Sequence, residues 1–429
     1  MDDVNKRVHP MSESSMLSVA DDTTSAQSGA RRRTAMTVIM ATNFLLNFGY
    51  QLWRSLFNNF AVDELGVRAD QIGLIQSVRE IPGLLGFTVG LLAIVLTEMR
   101  IAGLSIVLLG LGIALTGSVT SLPGLLASTV LMSIGFHYFM PANSSAVLQL
   151  TGEDEAPEVL GRLTSLNALA ALSGAGLVFL ALGALGFRRL FGITGVLVAI
   201  GGGIALLWSI RKSFLPETDA DAQDLDAIHP LQRAPLRRRY WLYYALQFLM
   251  GSRRHIFTTF AVFLLVRTHR VGAETITILY LINNLIGAFL YQQFGKIIAR
   301  VGERRALTIN FVLLILVFLG YAYIPILPVL YGLFVADHML FGFRIALQSY
   351  FQKIAVHRRE ITPNLSLGQT INHIASVIIP LVGGFIWETV GSQYTFLVGV
   401  GIVVISLILV QWMRVERGTI SRTATTVGR

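Results

Sequence analysis

Arg54-Ser-Leu-Phe57-Asn-Asn-Phe60-Ala61-Val62 returns 200 residues later as Arg254-His-Ile-Phe257-Thr-Thr-Phe260-Ala261-Val262. Both copies lie in long apolar stretches, where an arginine is costly to keep. After a four-residue insertion the register resumes, with Val67, Ala69, Ile72 and Gly83 matching Val271, Ala273, Ile276 and Gly287. It continues through Gly135-Phe136, Leu160-Gly161 and Gly176, which match Gly342-Phe343, Leu367-Gly368 and Gly383. The chain is therefore a tandem duplication. Solenoid units recur every 20 to 50 residues, so a repeat of this length is half of a molecule with two similar parts.

Composition identifies the solvent. Of the 429 residues, 53% are hydrophobic and 14% charged, against about 25% charged in an ordinary soluble domain. A membrane span needs about 20 apolar residues. Such stretches fall at 36–62, 70–97, 101–119, 122–149, 159–186, 190–210, 240–266, 273–298, 306–324, 328–352, 363–390 and 393–413. That predicts an all-α membrane protein of twelve transmembrane helices, six per repeat. Because six is even, equivalent helices cross in the same direction and the repeat is parallel.

Lys and Arg in the loops set the orientation. Of the 34 such residues, Arg54, Arg79, Arg253, Arg254 and Arg344 lie within spans, and Arg68, Arg188, Arg189, Arg267 and Arg270 lie on one side; the other 24 lie on the side of the termini. Both termini are therefore expected in the cytoplasm, with the bacterial inner membrane as the expected location. The net charge of +9 is read as a topology signal, not as nucleic-acid binding. Residues 1–34, rich in Ser, Asp and Thr without an apolar h-region, read as a disordered cytoplasmic tail, not a cleaved signal peptide. The expected organisation continues with a six-helix bundle at 35–211, a cytoplasmic loop at 212–239, a second bundle at 240–414 and a tail at 415–429. The chain contains no cysteine, which excludes disulfides and thiolate metal sites.

Two parallel six-helix halves joined by a long middle loop resemble the major facilitator superfamily across nearly the whole chain. Members carry a cytoplasmic loop of the form G-x-x-x-D-R/K-x-G-R/K-R/K between the second and third helices of a half. The second half reads Gly295-Lys-Ile-Ile-Ala299-Arg300-Val-Gly302-Glu303-Arg304-Arg305, keeping Gly295, Arg300, Gly302, Arg304 and Arg305 but with Ala299 at the acidic position; in the first half only Glu98-Met99-Arg100 remains. The resemblance implies alternating access, a conformational role for this loop as a charge latch between halves, and a cavity lined by the first, fourth, seventh and tenth helices.

Polar groups inside spans mark the candidate site. Arg54 lies about 12 Å from the end of its helix and Glu80 about 15 Å into the next, at 1.5 Å per residue. Glu80 could pair with Arg54 or with Arg79, or take up and release a proton; a purely structural ion pair is the alternative. Arg79 and Glu80 are matched in the second half by Asn283 and Asn284. The seventh helix gathers Arg253, Arg254 and His255, and consecutive residues point about 100° apart; Arg254, the copy of Arg54, is favoured for the cavity, while Arg253 is expected to snorkel or to pair across a helix interface. The tenth helix carries Asp337, His338 and Arg344, and the repeat sets Arg344 opposite His137. Tyr138, Asn143, Gln348 and Tyr350 could add neutral hydrogen bonds. His373, in the eleventh helix, reads as a satisfied buried histidine. The substrate-binding set is thus Arg54, His137, Arg254 and Arg344, with Glu80 and Asp337 as proton-coupling candidates.

No P-loop, nucleophile elbow or H-E-x-x-H occurs, and the histidines lack metal-ligand spacing; no enzymatic activity, cofactor or metal is expected. Away from the span ends, in-span charge comprises five arginines against Glu80 and Asp337. Three unpaired cations at the midplane would cost several kcal/mol each, and an anion would relieve that, since arginine forks fit carboxylate or phosphate. The expected function is secondary transport of a small anionic organic solute, as a proton symporter, by a monomer in the lipid bilayer. Two alternatives stand beside it: proton-driven efflux of amphipathic compounds, suggested by in-span aromatics such as Phe44, Phe136 and Phe341, and a transporter-like receptor or sensor.

Overall fold

The computed structural model describes residues 13–151, 156–211, 237–356 and 361–414, which form helices and short turns without strands. Thirteen α-helices follow in order: α1 Glu13–Asn59, α2 Ala69–Leu84, α3 Thr88–Leu92, α4 Glu98–Thr116, α5 Leu122–Leu150, α6 Ala156–Arg211, α7 Trp241–Arg267, α8 Ala273–Val301, α9 Glu303–Tyr323, α10 Leu327–Leu340, α11 Arg344–Ile354, α12 Ile361–Thr389 and α13 Ser392–Val410. Among the described residues, eight helical stretches are long and apolar enough to cross a membrane, and one of them, Arg162–Arg211, is long enough to do so twice. It breaks at Gly186, whose φ of 70° lies in the left-handed region, which glycine enters without a Cβ penalty. A 3-10 turn at Leu85–Phe87 joins α2 to α3, and another at Phe341–Phe343 joins α10 to α11.

The lipid-facing surface is legible in α9. Leu307, Phe311, Leu314 and Phe318 are buried, whereas Ile309, Val312, Leu313 and Leu316 are exposed. An amphipathic surface helix would turn polar residues outward; here the outer face is as apolar as the inner one, as hydrocarbon requires. Close backbone approach, the main source of packing between helices in lipid, is visible where a Cβ on Gly110 would come 2.3 Å from the backbone of Ala199.

Helices α1 and α4 to α6 pack on one another, with α2 on α5, and α9 and α12 pack on α13 and α7. Contact between the two groups runs through α2 with α12, α6 with α8 and α1 with α7 and α8. One antiparallel register governs the α2–α12 seam, as the pairings Ala69–Gly384, Gly73–Pro380 and Glu80–His373 show. The seam begins at the end of the helices remote from the termini, here called the far end. There the Ala69 amide donates to Glu388 Oε1 at 2.8 Å and Asn59 Nδ2 donates to the Val271 carbonyl at 2.8 Å.

One expectation is corrected. Residues 13–34, expected to be disordered, continue the first span as helix α1. The segment has no proline and only one glycine, Gly29, and adding residues to an existing helix avoids the cost of nucleation. Residues 1–12, most of the middle loop (212–236) and residues 415–429 lie outside the described residues.

Candidate functional site

The in-span charges sort into three groups. In the first, Arg253 Nη1 meets Asp337 Oδ1 at 2.8 Å, joining α7 to α10 with both side chains buried. Asp337, a proton-coupling candidate in the sequence, is thus the counterion of Arg253. This resolves the seventh-helix triplet: Arg253 faces a helix interface, and its neighbour Arg254, about 100° round the helix, faces elsewhere.

The second group is cationic. The guanidinium carbon of Arg254 lies 4.1 Å from the centroid of the Phe341 ring, and that of Arg344 lies 4.8 Å from the same centroid. Arg54 lies 4.2 Å from the ring centroid of Tyr280 in α8, so a residue of the first half is held by the second. Arg54 and Arg344 also act electrostatically on Arg254. Among the described residues, no carboxylate lies within ion-pair distance of these three arginines. A guanidinium stacked on a ring keeps its in-plane N–H donors free. The 3-10 turn at Phe341–Phe343 positions the ring, and Arg344 begins α11 directly after it.

The third group surrounds Glu80. Arg79 Nη2 donates to its Oε1 at 2.6 Å. The other oxygen, Oε2, lies 3.3 Å from Nδ1 of His373, 3.9 Å from Nε2 of His137 and 3.4 Å from Oγ of Ser376. The two imidazoles stand edge to face with centroids 5.3 Å apart. They close over Gly83, where a Cβ would lie 2.6 Å from His373 and 2.8 Å from His137.

Of the two arginines open to Glu80 in the sequence, the structure uses one, and it sets His137 apart from the other substrate candidates. Arg54 does not pair with Glu80: Arg79 takes the carboxylate and also donates to the Tyr50 hydroxyl at 3.3 Å. Tyr50 lies one turn before Arg54, so the space between α1 and α2 is filled and Arg54 is left to the far bundle. His137, placed with the arginines by its repeat partner Arg344, belongs instead to the Glu80 group. Of the neutral candidates, Tyr138 bonds to Thr88 at 2.6 Å and Asn143 accepts from Asn43 Nδ2 at 2.7 Å, both helix-helix contacts. Sequence reasoning passed over Tyr280 and Ser376, counted Phe341 only among the in-span aromatics and read His373 only as a satisfied buried histidine.

The glycine-rich loop spends its charges inside the second half. Gly302 adopts φ of 83° between α8 and α9. Arg304 Nη2 donates to Oε1 of Gln411, the residue after α13, at 3.2 Å. Glu303 forms an ion pair with Lys353 and accepts from Ser349 Oγ at 2.7 Å. Arg300 and Arg305 are exposed. In this conformation the loop makes no described bond across the two halves. The first half repeats the same clamp without charge on its partner: Glu98 Oε1 accepts from Gln149 at 2.7 Å and from Ser145 at 3.3 Å.

A multi-helix bundle of this connectivity, with charged residues gathered inside it, defines an integral membrane transporter. The model of the Major Facilitator Superfamily matches residues 39–362, and the chain belongs to that family. Among solved structures, the nucleoside transporter NupG matches with a TM-score of 0.69 at 16% identity, covering 88% of this chain and 98% of that one. A bacterial homolog of the human lysosomal transporter Spinster, inward-facing and unoccupied, matches with a TM-score of 0.70 at 14% identity, covering 88% and 96%. At such identities the likeness concerns the fold. No curated protein matches the chain significantly.

Proposed function

We propose that the protein is a secondary active transporter that moves a small anionic organic solute with protons, its termini on the cytoplasmic side of a bacterial inner membrane. The observation that carries this reading is the group Arg54, Arg254 and Arg344, three in-span cations stabilised by aromatic faces instead of carboxylates. Ring faces offset only part of the desolvation of a guanidinium: a cation–π contact is worth about 0.5–2 kcal/mol, whereas a central arginine costs at least about 2.5 kcal/mol on insertion scales. The remaining deficit favours binding an anion. Because Arg54 comes from one half and Arg254 and Arg344 from the other, a bound anion bridges the halves and favours closure around it.

Glu80, with His137, is the proton-coupling centre in this reading, and Asp337 serves as a fixed counterion. Protons enter because Glu80 is the in-span carboxylate with imidazole neighbours. The protein works as a monomer.

A second reading, transport of neutral or amphipathic aromatic compounds, is favoured by the Phe341 and Tyr280 faces at the same site; the nucleoside transporter among the similar folds makes nucleosides a fair class to include. The test is uptake by proteoliposomes of a panel of organic anions, nucleosides and amphipathic cations, with and without an imposed pH gradient. Accumulation of an anion driven by inward protons is expected. Accumulation of cations or nucleosides alone contradicts the anion reading, and binding without accumulation points to a receptor. Orientation is tested separately: a cysteine replacing Arg270 in this cysteine-free chain should react with an impermeant thiol reagent from outside intact cells.

A further inference from the structure

Glu80 divides its two oxygens between the halves of the molecule. Oε1 is held by Arg79 on its own helix at 2.6 Å, and Oε2 points into the α2–α12 seam, 3.3 Å from His373 Nδ1 and 3.4 Å from Ser376 Oγ. The contact lies where the register that starts at Ala69–Gly384 reaches mid-helix, so the bond is made only when α2 and α12 lie together. His373 is 23% exposed, against 10% for Glu80, so the imidazole is the more accessible of the two.

The charged and titratable groups around this contact come from every helix that packs on it. They are Tyr50 of α1, Arg79 of α2, His137 of α5, Arg254 and His255 of α7, and His373 itself. Arginine and tyrosine do not titrate near neutrality, and His255 is buried with an unpartnered Nε2. His137 is 14% exposed and lies farther from Oε2, at 3.9 Å.

We infer that a proton on His373 is the latch of the α2–α12 seam. With neutral imidazole, Nδ1–H donates to the Glu80 carboxylate, a contact charged on one side only. An added proton on Nε2 makes the ring an imidazolium, and the same contact becomes an ion pair, strengthened by direct attraction between opposite charges. Protonation therefore holds the far end shut, and proton loss lets the halves part there. This rests on the transporter reading and gives its coupling ion a place: a proton taken from the far side closes that side, and its release to the other side reopens it. The chemistry is one proton transfer: an N–H bond forms on the imidazole as an O–H bond of hydronium breaks, and the reverse on release.

The test uses the full chain, whose lack of cysteine permits spin labels at Asp63→Cys and Val390→Cys, just beyond the far ends of α1 and α12. Their distance distribution is measured by double electron–electron resonance in lipid nanodiscs at acidic and alkaline pH, without substrate. Acidification should raise the ratio of short to long distances by roughly three- to tenfold, the scale of an added attraction between opposite charges at a partly exposed site. His373→Gln should show no pH response and match the alkaline wild type; His373→Arg, a permanent cation, should show none and match the acidic wild type. A wild type indifferent to pH, or a pH response that survives in both variants, overturns the latch. A switch that persists in a protein moving no anion supports the latch while contradicting the transport reading, so the two can fail separately.

Discussion

Arg253 and Asp337 meet at 2.8 Å inside the second bundle, and Arg254, the next residue, has no carboxylate partner among the described residues. One residue of rotation separates a cation that is spent on structure from one that is available to a ligand. The pairing rationalises why two consecutive arginines persist in a membrane helix: each has a separate compensation, one a buried anion and the other the Phe341 face.

Breaking the buried pair should therefore damage stability first. Asp337→Asn leaves Arg253 as an unpaired buried cation, a loss of about 3–5 kcal/mol for such pairs. The melting temperature of the detergent-solubilised protein should fall whether or not ligand is present. The double change Arg253→Met with Asp337→Leu, which removes both charges together, should restore most of it. A stable Asp337→Asn variant that transports without accumulating would instead make Asp337 the proton carrier.

Gly73 sets the closeness of the seam. A Cβ there would lie 2.2 Å from the Pro380 carbonyl oxygen, a contact that backbone cannot yield to cheaply. Gly73→Val should hold the far end apart while each bundle stays folded. Ser77, one turn further along α2 and 1% exposed, then becomes a reporter: Ser77→Cys should resist an impermeant thiol reagent from outside in the parent and react in the Gly73→Val background. Equal protection in both would mean that the seam closes without this contact.

Glu80→Gln keeps a hydrogen-bonding group of the same shape and removes the charge. Under the proposed mechanism it should retain exchange of labelled substrate across the membrane, where no net proton movement is required, and lose accumulation driven by a pH gradient. Normal accumulation by Glu80→Gln would reduce Glu80 to a structural partner of Arg79.

The sequence revealed the duplication, the span pattern and the in-span arginines because lipid makes each of these costly to alter: an arginine retained at equivalent points of two apolar repeats stands out against its surroundings. Helical rotation separated Arg253 from Arg254, and the repeat, through Arg54, singled out Arg254 for the cavity. Other features left no such mark. Phe341 and Tyr280 become cation partners only through position, in a chain with 25 phenylalanines and 12 tyrosines. His373 lies 293 residues from Glu80, and nothing in the repeat links them, since the contact joins α2 of one half to α12 of the other. The repeat itself misdirected His137, because equivalent positions in diverged halves need not share a cavity. The helix at 13–34 was missed because polar composition resembles disorder unless it grows from an existing span.

The most direct measurement of the central claim compares matched ligands that differ only in charge. Taking the best carboxylate from the uptake panel and its primary amide, thermal stabilisation is titrated for the wild type, Arg254→Lys, Arg254→Ala and Arg344→Ala. The carboxylate should bind the wild type at least about tenfold more tightly than the amide, the value of a charge-assisted bond of about 1.5 kcal/mol. That preference should shrink in Arg254→Lys, which keeps charge without the bidentate fork, and collapse in both alanine variants, whose unliganded melting temperatures should stay near wild type. Equal affinity for the amide and the carboxylate, or a carboxylate preference untouched by all three substitutions, would contradict an anion site at Arg254 and Arg344.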